Sequence, residues 1–335
     1  LMNSPGACFC VVFPLAAQMC KDYDISPSKI MFPLGLVCVA CCCILPFGDS
    51  YDDMEQQALE MPYGIGQVST LEMRRIGTLE EAAGWQRKMQ ETVMRQSPHH
   101  IPAIFHMEGL CGAFIQEGTS FPSGIARGSG WDPELEEKIA KVVAKQEAAC
   151  GITHILAPVL DISRDSRMGR QGETYGEDPA LAAALGAAYT KGIQTTEAGG
   201  RRPESVAKHF LGFHNSQGGI HGTNSDTPSR LMEEIYGKPF QSAISESELK
   251  GVMPCYNSID GEPASVSHRL LTELLREKMG FDGLCVSDYG GINNAHEVQR
   301  IGETIGETGL LAMEAGMDIE MPKATGYGEE LKEMF

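Results

Sequence analysis

Residues 283–287 read Gly-Leu-Cys-Val-Ser, a short and mostly apolar run that begins with a glycine and is followed by the carboxylate of Asp288. An apolar run of this length is typical of a β-strand that is buried on both faces. The same pattern recurs and predicts further strands at 64–69, 102–106, 154–160, 205–210, 251–256 and 317–321. Strands that are buried on both faces indicate a parallel sheet covered by helices.

Helix-start signals lie between these strands. Thr78 begins a capping box, and Asp132 and Asp178 each precede a proline that suits the first helical position. Helices are expected at 79–96, after 132, and at 180–194, 270–278 and 304–314. This alternation indicates the α/β class, and the candidate strands fit a (β/α)8 TIM-like barrel.

A doubly wound sheet is the competing fold. Such a sheet usually carries a glycine-rich phosphate loop after its first strand. Gly64-Ile65-Gly66 is too short for that loop, so the barrel is favoured and no nucleotide cofactor is expected.

The amino-terminal residues differ in composition from the rest of the chain. Seven of the 11 cysteines fall within the first 43 residues, and residues 30–47 are uncharged and mostly apolar. Few basic residues flank this run, and prolines lie near both of its ends, so no membrane span is expected. We treat 1–50 as a Cys-rich leader that contributes little to a barrel over 51–335. A cytoplasmic location is expected, with secretion as the alternative.

Composition narrows the range of ligands. Acidic residues outnumber basic ones by 45 to 27, which gives a net charge of −18. This charge repels phosphate backbones, so nucleic acid is an unsuitable partner. Cys41, Cys42 and Cys43 lack the second ligand pair of a zinc site, so no metal is expected.

Polar residues stand at the ends of the predicted strands. The carboxyl ends of barrel strands meet at one face, where barrel enzymes place their active sites. Carboxylates, a Lys-His pair and arginines without a metal motif favour glycoside hydrolysis, although this pattern does not choose among the carboxylates. The strand-end residues are Glu108, Asp161, Lys208-His209, Tyr256-Asn257, Asp288 and Glu320.

Several motifs in the same order resemble glycoside hydrolase family 3. Residues 161–179 resemble D-x-x-R-D-x-R-W-G-R-x-x-E-T-[FY]-G-E-D-P, and 208–210 match K-H-F. Residues 253–263 match M-x-x-Y-N-x-[IV]-[DN]-G-x-P, and 280–289 match G-F-x-G-x-x-x-S-D-[WY]. The resemblance extends from about residue 64 to residue 322 and implies the amino-terminal catalytic barrel of that family, ending before its second α/β sandwich domain.

The resemblance also implies roles for individual residues. Asp288 matches the nucleophile, and Glu108 stands where the family has an acidic residue that binds the distal hydroxyls of the sugar. The implied enzyme is a retaining exo-β-glycosidase that forms a covalent glycosyl-Asp288 intermediate on small oligosaccharides or on aryl or alkyl β-glucosides or β-xylosides. Self-association into a homo-oligomer is left open. The further matches are Arg170, Lys208 and His209 at the −1 subsite, Tyr256 beside the nucleophile, and Tyr289 lining the next subsite.

The chain departs from the family pattern at three positions. Met168 replaces the usual tryptophan, and Glu108 replaces the aspartate of many members, which would favour a smaller sugar such as xylose. The loop that ends at His221 reads Gly-Gly-Ile-His where the family often has G-G-R-N. The arginine of that motif is absent here, so the sugar contact that it makes is not expected.

Several other residues are expected to be structural. Arg167 should pair with Asp161 or Asp165, and Asp178 should cap a helix. Glu173 and Glu177 should form ion pairs, and His214 and His221 should face solvent. Arg170 and Lys208 are expected to keep Asp288 ionised.

The acid/base is the missing part of the implied mechanism. Most of the family uses a glutamate from the following domain, and this chain ends at Phe335. Two alternatives stay open. One is a β-N-acetylglucosaminidase-type enzyme with a loop histidine as acid, near His221 and Asp226, and the other is a non-catalytic carbohydrate-binding pseudoenzyme.

Overall fold

The computed structural model of the chain describes residues 65–334. The expected leader 1–50, and the boundary at residue 51, lie outside the described residues.

The described part of the chain contains one main parallel sheet. Its strand order is β1-β2-β3-β4-β5-β8, so each strand pairs with the one that precedes it in this sheet. Strands β6 and β7 form a separate antiparallel hairpin between β5 and β8. The strands are β1 (Gln67–Ser69), β2 (Ile104–Met107), β3 (His154–Ile155), β4 (Glu204–Phe210), β5 (Gly251–Pro254), β6 (Ser258–Ile259), β7 (Glu262–Pro263) and β8 (Leu284–Cys285).

This order decides between the two candidate folds. A doubly wound sheet reverses its strand order at a switch point, whereas consecutive βα units of a barrel do not. The segment predicted as a strand at 317–321 joins the sheet through one parallel bridge between Val286 and Ile319. The other predicted strands are present, and all of them except β4 are shorter than expected.

Side chains from successive strands meet inside the curve of the sheet. Leu156, Val206, Met253, Val286 and Met321 are all buried and pack into one cluster. They come from the residue after β3, from β4 and β5, from the residue after β8, and from the 317–321 segment. Such contact requires the strands to curl around a shared interior, as barrel strands do.

Helices follow most of the strands and carry the larger apolar cluster on their inner faces. Within the described residues, no helix is long and apolar enough to cross a bilayer. Two π-helical segments, Met232–Tyr236 and Arg269–Lys278, add to the α-helices. The α-helices are α1 (Leu79–Gln96), α2 (Gly124–Gly128), α3 (Pro133–Ala149), α4 (Pro179–Gln194), α5 (Ser229–Leu231), α6 (Lys238–Ser247), α7 (Gly291–Glu297), α8 (Ile305–Ala315) and α9 (Glu329–Glu333).

The predicted caps are confirmed. Thr78 Oγ1 accepts a hydrogen bond from the Glu81 amide at 3.2 Å, and Asp132 Oδ1 accepts one from the Leu135 amide at 2.9 Å. Asp178 Oδ1 accepts from two amides at the start of α4, at 2.7 and 2.9 Å. These bonds satisfy amides that have no partner within the helix and fix where each helix begins.

A close approach of α4 fixes the loop after β2. The Tyr189 hydroxyl donates to the Gly109 carbonyl at 2.6 Å. A Cβ atom at Gly109 would lie 2.3 Å from Ile155 Cγ2, so glycine is required at this position. Because Gly109 directly follows Glu108, this contact holds the Glu108 backbone against the body of the protein.

Candidate active site

Asp288 lies just beyond β8, and its two carboxylate oxygens have different surroundings. Oδ1 accepts a hydrogen bond from the Tyr289 amide at 2.7 Å and lies 2.8 Å from the Tyr256 hydroxyl. Oδ2 is buried and has no hydrogen-bond partner within residues 65–334, and His209 Nε2 is 3.6 Å away. One oxygen is therefore fixed by two hydrogen bonds, while the other has no hydrogen bond within residues 65–334.

Glu108, just after β2, and Lys208, on β4, form an ion pair. Lys208 Nζ donates to Glu108 Oε2 at 2.6 Å. Burial raises the pKa of Glu108, and the neighbouring Lys208 charge opposes that shift. The Glu108 side chain keeps 24% exposure, so its carboxylate remains accessible to a ligand.

The Arg170 guanidinium contacts both the Glu173 carboxylate and the His209 imidazole. Its Nε and Nη2 donate to the two oxygens of Glu173 at 2.7 and 2.8 Å. Burial disfavours the charged form of Glu173, but the Arg170 charge and hydrogen bonds outweigh it and lower the pKa. Nη2 also lies 2.9 Å from Nε2 of His209. A guanidinium can only donate, so His209 Nε2 is the acceptor and carries no proton.

The other nitrogen of the same imidazole fixes its tautomer. His209 Nδ1 lies 2.8 Å from Asp161 Oδ2 and donates to it. Burial, with help from the charges of Arg170 and Lys208, lowers the pKa of His209 well below its ordinary value. The ring is therefore neutral at ordinary pH, with its proton on Nδ1 and an acceptor lone pair on Nε2.

The Tyr289 hydroxyl lies within hydrogen-bond distance of a residue for which the sequence predicted no role in the site. Its hydroxyl lies 3.0 Å from Nε2 of His106, which is almost fully buried. Burial, together with the charges of His154 and Lys208, lowers the pKa of His106 to about 3. A neutral histidine thus supports the aromatic ring next to the nucleophile candidate.

The contacts above join Asp288 to Tyr256, Tyr289, His209 and Arg170. The Glu108–Lys208 pair lies close enough for its charges to act on Arg170 and His209. Sequence reasoning missed His106 and gave no site role to Asp161 or Glu173, which hold His209 and Arg170 in place. The available signals were the strand-end position of Asp161 and the spacing between Arg170 and Glu173. The Lys208 ammonium forms an ion pair with Glu108, and the expectation that Arg170 and Lys208 keep Asp288 ionised stays a prediction.

Other structural expectations have mixed outcomes. Arg167 pairs with Asp165, at 2.6 Å between Nη2 and Oδ2. The prediction that His214 faces solvent was wrong, because its side chain is buried. Glu320 lies at a strand end but accepts hydrogen bonds from the amides of residues 325–327, so it stabilises a loop.

A family model described as the glycosyl hydrolase family 3 N terminal domain matches residues 51–334.

The chain belongs to glycosyl hydrolase family 3.

Relatives and solved structures agree with this membership. A β-xylosidase of Formosa agariphila is 34% identical over 230 residues, covering 66% of this chain and 32% of that protein. A β-glucosidase of Rhizobium radiobacter is 36% identical over 206 residues, covering 62% of this chain and 23% of that protein. The chain thus spans about a third or less of the length of these two relatives.

Solved structures show the same fold. A β-glucosidase from Erythrobacter marinus superposes with a TM-score of 0.78 at 29% identity, covering 84% of this chain and 37% of that one. A mutant β-glucosidase from Listeria innocua, in complex with laminaribiose, gives a TM-score of 0.72 at 25% identity. That match covers 85% of this chain and 44% of the other. These likenesses confirm the α/β barrel class.

Two departures from the glycosyl hydrolase family 3 motifs have clear positions in the structure. Met168, at the tryptophan position, is buried in the larger apolar cluster. His221 lies at the site, with its ring centroid 5.0 Å from that of Tyr256 and 5.2 Å from that of Phe213. His221 is exposed, as expected, but it also forms part of the wall above Tyr256.

Proposed function

We propose that the chain supplies the nucleophile and the −1 subsite of a retaining exo-β-glycosidase. The observation that carries this proposal is the asymmetric environment of Asp288. Tyr256 and the Tyr289 amide hold Oδ1, while Oδ2 has no hydrogen-bond partner among the described residues. A carboxylate oriented in this way can attack an anomeric carbon with its free oxygen.

The proposed reaction has two displacements. Asp288 Oδ2 bonds to the anomeric carbon as the C1–O bond of the aglycone breaks, and the aglycone takes a proton from an acid. Water then attacks the same carbon and gives a proton back to the deprotonated acid, Asp288 leaves as a carboxylate, and the sugar keeps its β configuration.

The surrounding residues support the binding of sugar hydroxyls. Glu108 can accept hydrogen bonds, and Lys208 and Arg170 can donate them. Both nitrogens of His209 are already hydrogen-bonded, to Asp161 and to Arg170, so His209 orients Arg170 rather than accepting from a hydroxyl. Tyr289 supplies an aromatic wall at the next subsite. Hydroxyl contacts that strengthen as the sugar ring flattens would lower the barrier.

The proton donor is proposed to be the glutamate that most of the family supplies from a following domain. Although part of the His221 side chain is exposed, its ring packs against Phe213 and Tyr256. This desolvation and the Arg170 charge lower the pKa of His221, which leaves it unprotonated and a poor acid at neutral pH. Asp226 hydrogen-bonds to Gln217 and Asn224, rather than to His221, in the part of the chain that the structure describes. A loop-histidine acid is therefore disfavoured.

The proposal extends to substrate, domain and location. β-Glucosides and β-xylosides are the proposed substrates, in line with the names of the relatives. Residues 51–335 are proposed as the barrel domain, in line with the family match over 51–334, and 1–50 as a separate leader. A cytoplasmic location is supported by the free thiols of the described cysteines, since disulfides are rare in that compartment.

Covalent labelling of Asp288 tests the proposal. A dinitrophenyl β-glycoside has a leaving group that needs no proton, so it should label Asp288 even in this chain expressed alone. An alkyl glycoside needs the acid and should not react, because general acid catalysis contributes about 10²–10⁴-fold. Mass spectrometry of the peptide spanning residues 283–293 would detect the added sugar.

Two variants test whether the labelling is specific to Asp288. Asp288→Asn should abolish it, because an amide is a far weaker nucleophile than a carboxylate. Asp282→Asn is the matched control, since its carboxylate lies just before β8 and its side chain is 84% exposed. Labelling that persists in Asp288→Asn, or an adduct on another residue, would refute the proposed nucleophile.

A further inference from the structure

A groove of about 670 Å³ lies outside the set of residues described above. Its walls come from α2 and the turn after it, from the loop after β3, and from the start of α4. Its lining includes apolar and charged side chains: Ile125, Trp131, Arg164, Tyr175, Glu177 and Leu181.

Trp131 is the most unusual member of this groove. Its side chain is 67% exposed, and its backbone lies in the left-handed region, with φ of 52°. Non-glycine residues adopt this conformation at an energetic cost. In the described part of the chain, its indole has no ring contact or hydrogen bond that would offset that cost. The fold therefore presents a large aromatic surface to whatever enters the groove.

Charged groups of both signs face the same space. Arg164 and Glu177 are exposed, and neither makes a hydrogen bond or an ion pair within residues 65–334. Asp178 also lines the groove, but its Oδ1 is occupied by the amides of α4. Mixed charge favours neither a strong anion nor a strong cation. A neutral ligand rich in hydroxyls can use both the donor and the acceptor groups.

The groove is coupled to the proposed catalytic pocket through a shared backbone segment. A Cβ atom at Gly124 would lie 2.1 Å from the Glu173 carbonyl, and one at Gly128 would lie 2.3 Å from the Tyr175 carbonyl. Helix α2 therefore packs directly on the segment that carries Glu173, the ion-pair partner of Arg170. The same segment contributes Tyr175 to the lining of the groove.

We propose that this groove is a second carbohydrate-binding site, which takes a β-linked glycan chain with one pyranose ring stacked on Trp131. The apolar face of a pyranose suits the exposed indole, and its hydroxyls suit Arg164 and Glu177. Only the choice of a β-linked glycan rests on the proposed function, because binding here requires no catalysis. A bound chain would be held close to the pocket that removes its terminal sugar.

Affinity electrophoresis of the complete protein tests this site. The gels contain soluble β-1,4-xylan, mixed-linkage β-glucan or starch, and the protein carries Asp288→Asn so that the glycan is not degraded. We expect retardation in at least one β-glycan gel and none in starch. Trp131→Ala should weaken the apparent affinity at least about tenfold, as truncation of a central aromatic contact does. Val298→Ala, at a side chain of matched exposure (68%), should change nothing.

Two further variants and a kinetic assay separate loss of glycan binding from loss of folding or of catalysis. Trp131→Phe, which retains a ring, should restore part of the retardation, and Arg164→Ala should reduce it even if Trp131→Ala fails to fold. In the background with an intact Asp288, Trp131→Ala should leave kcat/KM for a nitrophenyl glycoside within about twofold of the wild type. That assay reports on the proposed function separately. Equal retardation of wild type, Trp131→Ala and Arg164→Ala, or no retardation in any gel, would overturn the proposal.

Discussion

The Tyr289 hydroxyl and the buried His106 imidazole lie 3.0 Å apart. The backbone of the same tyrosine donates an amide hydrogen bond to Asp288 Oδ1, and its carbonyl lies 2.8 Å from the Tyr256 hydroxyl. A residue on β2 is thus connected to the carboxylate after β8 through a single tyrosine. We infer that His106 positions Tyr289, rather than contacting substrate itself.

A double-mutant cycle measures this connection. His106→Phe and Tyr289→Phe should each lower kcat/KM for a nitrophenyl β-glycoside by about tenfold, since an unpaired buried polar group costs roughly 1–3 kcal/mol. The double variant should be no worse than the worse single variant, because each change removes the same hydrogen bond. If the two losses in activation free energy add in the double variant, the two residues act independently.

A second prediction concerns the hydrogen bond that holds the nucleophile. Tyr256→Phe should slow the labelling of Asp288 by a dinitrophenyl β-glycoside by about 10–100-fold, since a hydrogen bond to a charged group contributes roughly 1.5–3 kcal/mol. Stopped-flow release of dinitrophenolate would measure the rate. Tyr327→Phe is the control, because its hydroxyl donates to the Met317 carbonyl instead. That variant should lose thermal stability but keep the labelling rate, and equal rates in both variants would contradict the prediction.

A third prediction concerns sugar size. Glu108 reaches further into the pocket than an aspartate would, so Glu108→Asp should shift the preference from β-xylosides towards β-glucosides. One methylene in a binding pocket is typically worth about 10–200-fold in discrimination. The measurement is the ratio of kcat/KM for the two nitrophenyl glycosides. Glu262→Asp, at a half-exposed ion pair with Arg269, should leave the ratio unchanged. An unchanged ratio in Glu108→Asp would remove Glu108 as the determinant.

A fourth prediction links a buried carboxyl to stability. Neither oxygen of Glu147 has a hydrogen-bond partner of normal geometry in the described part of the chain. Burial and the Glu108 charge raise its pKa well above 4.5, and the Phe114 amide offsets this only in part. Below pH 4.5 the group is protonated in both states. Above it the unfolded chain releases the proton while the folded protein retains it, so stability falls as pH rises towards the folded pKa.

The variant Glu147→Gln does not titrate and should escape this loss. Its advantage in the free energy of unfolding should grow by about 1.4 kcal/mol per pH unit above pH 4.5 until the folded pKa is reached. Urea melts at about pH 5 and about pH 8 would show the effect. Glu277→Gln removes an exposed carboxylate and should give parallel curves. Parallel curves for Glu147→Gln as well would mean that the buried group is ionised.

The sequence predicted the repeating architecture well, because its signals are local. Capping residues such as Thr78 and Asp178 act on amides only a few positions away, so the starts of the helices can be derived from adjacent residues. Strand lengths were overestimated at 154–160, where pairing narrows to His154–Ile155 with one further bridge at Val159. An apolar run shows burial, but it does not show which amides find a partner.

The site was predictable where residue type and strand-end position coincide, as at Glu108 and Asp288. Its supporting contacts were not predictable, because they join residues far apart in sequence. His106 meets Tyr289 across 183 positions, and Lys208 meets Glu108 across 100. His214 lies in a glycine-rich loop that reads as solvent-facing, yet the fold buries it. Such outcomes depend on how strands are arranged around the barrel, which no local pattern contains.

The strand order has a consequence for biosynthesis. Each strand of the main sheet hydrogen-bonds to the one made before it, so a ribosome delivers the strands in the order in which they pair. Glu108 and Lys208 can already be in place when the segment with Asp288 emerges. A nascent chain halted between β5 and β8 would present the edge of β5 to other chains. Open edges of this kind template aggregation, so a translational pause that leaves β5 outside the ribosome and β8 still inside it should be harmful to yield.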